Sequence, residues 1–134
     1  MNAPVNINKQ IENRLTSLRS WRPYIERALR DADLMTYDDI ERGVVEVRFL
    51  YFDNKTAFVI IDVQDYTKGR VCHILAAGGS LDGLRALQDS LIPFFKQIGA
   101  RRLTMAGRSG FTKKLPAWGW TQPRVVMQLE IPNG

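Results

Sequence analysis

Residues 70–106 carry two strand-like runs separated by a helix-like run, and this order constrains the fold more than any other feature of the sequence. Arg70–Ala77 is rich in small and apolar side chains, which is typical of a strand buried on both faces. Gly78 and Gly79 interrupt the run, and Ser80 offers the side chain of a helix N-cap. Arg101–Ala106 is strand-like again. A strand, a helix and a strand in this order predict a right-handed crossover between two parallel strands.

The residues before this unit predict an antiparallel hairpin. Val44–Phe52 and Thr56–Val63 are rich in β-branched and aromatic side chains, and the polar stretch 53–55 between them is typical of a turn. A hairpin that leads into a strand–helix–strand unit gives a mixed α/β sheet with helices on both faces. After the unit we expect a short helix at Phe111–Leu115 and a last strand at Gln122–Ile131.

The first 35 residues predict two helices. Apolar residues recur at helical spacing from Ile7 to Leu29, and Pro23 is suited to the first turn of a second helix, so we expect a bend near Trp21. A short helix, Tyr37–Arg42, then begins after Thr36, with Gly43 as its stop. We interpret residues 1–134 as one domain, with 1–35 as a helical extension and 36–131 as the core.

Composition excludes several classes of protein. A chain of 134 residues with one Cys and one His has no disulfide framework, and a Cys/His zinc site is implausible, so we predict no metal. No apolar run approaches the roughly 18 residues that cross a bilayer, and the first residues lack the apolar segment of a signal peptide. We therefore predict no membrane span and a cytoplasmic location.

The charge is distributed unevenly along the chain. The net charge is +5, but residues 1–30 carry +4, residues 31–89 carry −5, and residues 91–129 contain seven basic residues and no acidic one. Such basic regions predict an anionic partner, and the phosphates of a cofactor, a nucleic acid or an acidic protein would each serve. A solvated basic face that keeps the protein soluble explains the pattern equally well.

The order of elements and two local patterns resemble the GNAT-type N-acyltransferases. The patterns are RVCHILAAGG running into SLDGLRALQDSLIPFFKQIGARRLTM, and GRSGFTKKLPAWGW followed by QPRVVMQLEI. The resemblance covers residues 36 to 131. In these patterns the chain is particularly similar to small acyltransferase-like proteins of tailed bacteriophages. It implies a GNAT-like fold, acetyl-coenzyme A as cofactor and acyl transfer to an amine of unknown identity. A phage-encoded protein would act in the host cytoplasm or in the virion.

The resemblance also implies which residues bind coenzyme A. In this family a strand, a tight loop and a helix N-terminus bind the diphosphate through backbone N–H groups. The residues at the matching positions are Ala76, Ala77, Gly78, Gly79, Ser80, Leu81 and Gly83, and Arg108 and Lys113 are expected to contact phosphates. The loop departs from the family pattern because it has no basic residue at its start and because Asp82 lies near the expected diphosphate.

The catalytic groups are less clearly marked. Histidine is the side-chain type suited to proton transfer near neutral pH, and His73 lies on the proposed central strand. Asp62 lies in an otherwise apolar strand, so both are candidate catalytic residues. A hydrogen-bonded structural histidine and a solvent-facing aspartate are the alternatives. The family's frequent tyrosine acid is replaced by Leu115, and the nearest phenols that we identify are Tyr51 and Tyr66.

Two other functions stay open at this stage. A non-catalytic phage protein could have kept the fold as a scaffold, with the basic N-terminal helices as the surface for a protein partner. Nucleic-acid binding ranks below it, through the basic stretch near the end of the chain with Phe111, Trp118 and Trp120 stacking on bases.

Overall fold

The computed structural model describes residues 7–30, 34–106 and 112–132. The helices are α1 (Ile7–Ser20), α2 (Arg22–Leu29), α3 (Tyr37–Val45) and α4 (Leu81–Gln97), followed by a short 3-10 helix, Leu115–Trp118. The strands are β1 (Phe49–Asp53), β2 (Ala57–Tyr66), β3 (Gly69–Gly79) and β4 (Ala100–Met105). No helix in these described ranges is both long enough and apolar enough to span a membrane.

The four strands form one mixed sheet in the order β1-β2-β3-β4. β1 pairs with β2 and β2 pairs with β3 in antiparallel fashion, whereas β3 and β4 are parallel. The parallel pair is joined by α4, which packs on the sheet. The predicted hairpin, strand–helix–strand unit and mixed sheet are therefore confirmed.

Each face of the sheet has its own apolar core. The face covered by α1, α2 and α3 buries Leu18, Ile25 and Ile40 against Phe58 and Ile60. The opposite face lies under α4 and buries a second set of residues, which includes Ile61, Cys72, Leu87 and Phe95. The two N-terminal helices thus supply core side chains, and their predicted break at Trp21 is observed.

The predicted boundary between α3 and β1 is wrong. The helix begins as expected, because Thr36 and Asp39 form a capping box, but it runs through Gly43 to Val45, and β1 starts only at Phe49. A Cβ on Gly43 would lie 2.1 Å from Phe49 Cδ2. Gly43 therefore serves close packing of α3 on β1 and does not end the helix.

Three further expectations require correction. Gly78 and Gly79 do not interrupt β3 but form its last two residues, paired with Phe58 and Ala57. Residues 122–131 form no strand and are exposed, although their composition favours one. The predicted helix 111–115 begins outside the described residues, and the observed 3-10 helix starts at Leu115.

Candidate functional site

Strands β3 and β4 separate partway along their length. Their pairing runs from Arg70 and Ala100 to Ile74 and Met105, whereas β3 continues to Gly79. On its other side, β3 has a β-bulge at the same point, because Ile60 pairs with Ala76 and Ile61 pairs with Ile74. A bulge bends a strand and increases its twist. Beyond Ile74, the edge of β3 that faces β4 therefore has no partner strand in the described part of the chain.

The opening between the two strands is a cleft of about 300 Å³, which we call the β3–β4 cleft. Helix α2 forms one wall, the free end of β3 a second, and the first turn of α4 with the end of β4 the remainder. Its lining residues are Tyr24, Arg27, Ala28, Ile74, Leu75, Ala76, Ala77, Gly78, Gly79, Leu81, Leu84, Met105 and Ala106. Most of these side chains are apolar or absent, so backbone groups of β3 and the two polar side chains of α2 supply the polar contacts.

The glycines at the end of β3 are required by packing. A Cβ on Gly78 would lie 2.8 Å from Phe58 Cε1, and one on Gly79 would lie 2.3 Å from the Thr56 carbonyl oxygen. Gly79 also has φ +112°, a conformation that side chains other than glycine rarely adopt. These two positions let the β1–β2 turn approach the start of α4 closely.

The β1–β2 turn fixes this loop through hydrogen bonds. Asn54 Nδ2 donates to the Gly83 carbonyl at 2.9 Å, and Asn54 Oδ1 accepts from the Ala57 amide at 2.8 Å. The Ser80 amide donates to the Thr56 carbonyl at 3.0 Å. The loop 79–83 is therefore held on the turn before any ligand is present.

The N-terminus of α4 opens beside the cleft with two free donors. Ser80 Oγ accepts from the Gly83 amide at 2.9 Å, and the Ser80 carbonyl accepts from the Leu84 amide. The amides of Leu81 and Asp82 have no acceptor among the described residues, as is usual in the first turn of a helix. Two free N–H groups at the positive end of a 17-residue helix can bind an anion, although the exposed Asp82 carboxylate opposes it.

Only some of the predicted coenzyme A residues line the cleft. Five of them line the cleft: Ala76, Ala77, Gly78, Gly79 and Leu81. Ser80 caps α4, and buried Gly83 leaves room for Thr56, whose Oγ1 would be 2.3 Å from an added Cβ. Lys113 is exposed in the turn before the 3-10 helix and does not line the cleft, and Arg108 lies outside the described residues.

His73 lies on the paired half of β3, Asp62 lies opposite it on β2, and neither residue lines the cleft. Asp62, His73 and Thr104 occupy opposed positions on β2, β3 and β4, and His73 Nδ1 is 2.8 Å from Thr104 Oγ1. Asp62 Oδ2 accepts from Gln64 Nε2 at 3.2 Å. Both residues are half-buried. Cys72 points to the other face of the sheet, where burial raises the pKa of its thiol.

The two phenols named from the sequence also lie elsewhere. Tyr66 is exposed and donates to Gln64 Oε1. Tyr51 is buried and donates to Asp53 Oδ2 at 2.6 Å, and burial together with this hydrogen bond raises the pKa of Tyr51 well above its usual value. Ser17 and Trp21 also donate to that oxygen, so this cluster joins the α1–α2 bend to the end of β1.

Sequence reasoning missed the two polar side chains of the cleft, Tyr24 and Arg27. The Arg27 guanidinium carbon lies 5.5 Å from the centre of the Tyr24 ring, and Tyr24 Cβ would be 3.6 Å from a Cβ on Gly78. Helical spacing identifies Ile25 and Leu29 as core positions, which places Tyr24 and Ala28 at the margin of the same face. Nothing local to α2 indicates that this margin meets the free end of β3.

The described ranges contain no group of three or more His, Cys, Asp or Glu side chains that could hold a metal ion. The described lining of the cleft offers backbone groups, the Tyr24 phenol and the Arg27 guanidinium as polar groups.

The solved structures that are similar to this chain include proteins described as acetyltransferases. A probable acetyltransferase has a TM-score of 0.65 at 10% identity, with 90% of this chain and 94% of that chain covered. The aminoglycoside N-acetyltransferase AAC(6')-Iy, solved in complex with CoA, has a TM-score of 0.61 at 15% identity and coverages of 86% and 89%. A possible acetyltransferase from Clostridium difficile 630 has a TM-score of 0.59 at 10% identity and coverages of 89% and 94%.

No protein-family model matches the sequence, and no curated protein matches it significantly. The structural likenesses are below the identity at which function transfers, so they establish the fold. The predicted GNAT-like architecture is confirmed at that level.

Proposed function

We propose that the protein binds acyl-coenzyme A in the β3–β4 cleft and transfers the acyl group to an amine. The observation that carries the proposal is the separation of two parallel strands beside a capped helix N-terminus, in a fold shared with acetyltransferases. One of these neighbours was solved in complex with CoA, which supports the choice of ligand.

The residues of the cleft fit the successive parts of this ligand. The edge of β3 from Leu75 to Gly79 offers unpaired N–H and C=O groups to the amides of the pantetheine arm. The free amides of Leu81 and Asp82 suit the diphosphate. A volume of about 300 Å³ takes the arm and the acyl group, so the nucleotide would lie outside the cleft.

Tyr24 is the residue to which we assign proton donation. Bound acyl-coenzyme A would supply an activated thioester carbonyl, whose C–S bond breaks as the amine nitrogen forms its bond to the acyl carbon. The departing thiolate gains a proton and the attacking nitrogen loses one, so the proton of the nitrogen restores the group that protonates the thiolate. Tyr24 is the only tyrosine among the described residues that line the cleft, so we assign the donation to its Oη.

A cleft-filling variant tests the binding site. Ala28 lies on α2 at the cleft, so Ala28→Trp should block acetyl-coenzyme A, whereas Glu26→Trp on the exposed side of the same helix should not. We expect acetyl-coenzyme A at 100 times its dissociation constant to stabilise the wild type by about 2.7 kcal/mol, measured by thermal unfolding and calorimetric titration. Wild type without a shift, or Ala28→Trp with a full one, would contradict the proposal.

A second variant separates binding from chemistry. Tyr24→Phe removes only the hydroxyl, so kcat should fall while the affinity for acetyl-coenzyme A stays within about two-fold. Phe at the exposed Tyr66 is the matched control and should leave both unchanged. Equal loss of binding and turnover in Tyr24→Phe would assign Tyr24 to binding and remove its role as proton donor.

The alternatives from the sequence make opposite predictions for the same titration. A non-catalytic scaffold on this fold, of phage origin or otherwise, would show no coenzyme A binding. Nucleic-acid binding would show an affinity that falls steeply with salt. Four expectations from the sequence stay predictions. They are the cytoplasmic or virion location, the protein partner of the N-terminal helices, the phosphate contacts of Arg108 and Lys113, and the catalytic roles of His73 and Asp62.

A further inference from the structure

Arg27 is the only charged side chain among the described residues that line the β3–β4 cleft. Apart from the Tyr24 phenol, the other lining side chains are apolar or absent. A fixed charge between apolar walls acts more strongly on a ligand than the same charge in open water, because the walls do not screen it. The wall of the cleft that α2 forms therefore favours a negatively charged group on the ligand and disfavours a positively charged one.

The Arg27 guanidinium lies beside the residue to which we assign proton donation. Its carbon is 5.5 Å from the centre of the Tyr24 ring, close enough for the cation and the ring to attract each other. The two residues are three positions apart on α2, so their side chains leave the same side of the helix. On the proposed function, on which this inference rests, the thioester lies beside Tyr24, and Arg27 therefore lies where the acceptor amine must approach.

The part of the donor that enters the cleft carries no charge to match Arg27. The pantetheine arm and an acetyl group are neutral, and the phosphates belong with the nucleotide, outside the cleft. The acceptor is the other component that must reach the thioester. A carboxylate on the acceptor fits arginine well, because the planar guanidinium can donate to both carboxylate oxygens at once.

A cation at this position also suits the chemistry of the amine. Only an unprotonated nitrogen has the lone pair that attacks the thioester, and a nearby positive charge favours the neutral form of an amine. The described lining contains no Asp, Glu or His side chain that would attract a protonated amine or accept its proton. Acceptors that carry several positive charges are disfavoured for the same reason.

We propose that the acceptor is an α-amino acid, whose carboxylate Arg27 binds while its amino group attacks the thioester. An α-amino acid carries both groups on one carbon, so its nitrogen stays near Tyr24 when its carboxylate contacts the neighbouring guanidinium. The new bond joins this nitrogen to the acyl carbon, and coenzyme A leaves as the thiol. The product is an N-acyl amino acid.

Two conjugates of coenzyme A test the proposal by binding alone. In each, an acetyl group joins the sulfur to the nitrogen of glycine or of glycinamide, so the two differ only in a carboxylate. Calorimetric titration of the wild type should give an affinity about ten-fold higher or more for the glycine conjugate, because hydrogen bonds between charged groups are the stronger ones. Arg27→Gln should abolish this preference. Arg30→Gln removes the same charge at the end of α2, outside the cleft lining, and should keep it.

The contrary outcomes separate this inference from the proposed function. If the wild type binds neither conjugate nor acetyl-coenzyme A, the proposed function fails and the inference fails with it. If both conjugates bind equally well, or if the preference persists in Arg27→Gln, the inference alone is overturned. Equal weakening of both conjugates in Arg27→Gln would instead assign Arg27 to the phosphates. An Arg27-dependent preference for succinyl- over acetyl-coenzyme A, with none between the conjugates, would place the carboxylate on the acyl group and also overturn the inference.

Discussion

The two halves of β3 differ in what they present to the rest of the molecule. From Arg70 to Ile74 the strand is paired on both sides, and the hydrogen bond between His73 and Thr104 uses one of its few polar side chains. From Leu75 to Gly79 it has no partner strand on the β4 side within the described residues, and it pairs with β2 from Ala76 onward. Most positions in this half carry small side chains or none. We call residues 70–74 of β3 the closed half and residues 75–79 the open half. The closed half contributes polar side chains to the sheet, whereas the open half contributes backbone groups to the cleft.

This difference explains why the candidate site has so weak a sequence signal. A site built from side chains needs particular residue types, but a site built from amides needs only a strand edge, a helix start and room around them. The contacts with Phe58 and Thr56 leave no room for a Cβ at Gly78 or Gly79. Packing alone therefore requires these glycines, and their presence does not by itself indicate a binding site.

The largest expected effect is a loss of stability from a substitution in the open half. Gly79→Ala places a Cβ at 2.3 Å from the Thr56 carbonyl at a positive φ, and we expect a loss of about 3 kcal/mol or more in the free energy of unfolding. Gly99→Ala is the control, because Gly99 has φ +77° with nothing within 4 Å, and should cost about 1–2 kcal/mol. Urea unfolding measures both. Equal losses would mean that the turn yields to the added methyl group and does not brace the loop.

The next effect belongs to the closed half. His73→Ala removes the hydrogen bond to Thr104 and should cost about 1 kcal/mol of stability, while the affinity for acetyl-coenzyme A stays within two-fold because His73 does not line the cleft. Thr104→Val should cost a similar amount, since it breaks the same bond from the other side.

Turnover of His73→Ala then decides the hypothesis drawn from the sequence. Loss of acyl transfer with normal binding and a normal Thr104→Val variant would make His73 catalytic. Normal turnover would leave it a structural residue of the closed half.

A smaller effect concerns the charge at the start of α4. Asp82→Asn removes the carboxylate next to the two free amides, and we expect it to raise the affinity for acetyl-coenzyme A by roughly two- to five-fold at low salt, less at high salt. Asp89→Asn, on the same helix but beyond its first turn, should change the affinity little. A weaker affinity in Asp82→Asn would place the diphosphate elsewhere.

The sequence predicted what depends on local pattern and missed what depends on distant contacts. Hydrophobic periodicity and caps identified α1, α2, α4 and the order of the strands, because these signals lie within each element. The extension of α3 past Gly43 depends on the ring of Phe49, which no local rule describes. Residues 122–131 have the composition of a strand but no partner in the described single chain, and composition cannot supply one.

The candidate site divides in the same way. Residues 76–81 were named through the resemblance to the GNAT-type family, and they form the end of β3 and the start of α4. Tyr24 and Arg27 could not be named from the sequence, since they reach the cleft only through the packing of α2 on the open half of β3. Titratable residues in strands, such as His73 and Asp62, are conspicuous in a sequence, but the structure places His73 on the closed half of β3 and Asp62 opposite it on β2.

The smallest expected effect is on the pH dependence of stability, through Asp53 at the end of β1, where the strand contacts α1. Burial alone would raise the pKa of Asp53, but hydrogen bonds from Ser17, Tyr51 and Trp21 outweigh it and hold the pKa below the ordinary 3.8. A carboxyl with a lowered folded pKa adds stability above its unfolded pKa and loses it as the pH falls through the folded value. The stability of wild type should therefore drop below about pH 4 more steeply than that of Asp53→Asn.

Thermal unfolding between about pH 5 and pH 2 measures this difference, with Glu12→Gln, an exposed carboxylate on α1, as the control that should follow the wild-type curve. If Asp53→Asn and wild type lose stability in parallel, the acid-sensitive contacts lie in other pairs, such as Glu41 with Arg19. The contact between α1 and the end of β1 would then depend on neutral hydrogen bonds such as that between Ser17 and Tyr51. In that case the β1–β2 turn would keep its position beside the open half of β3 at low pH.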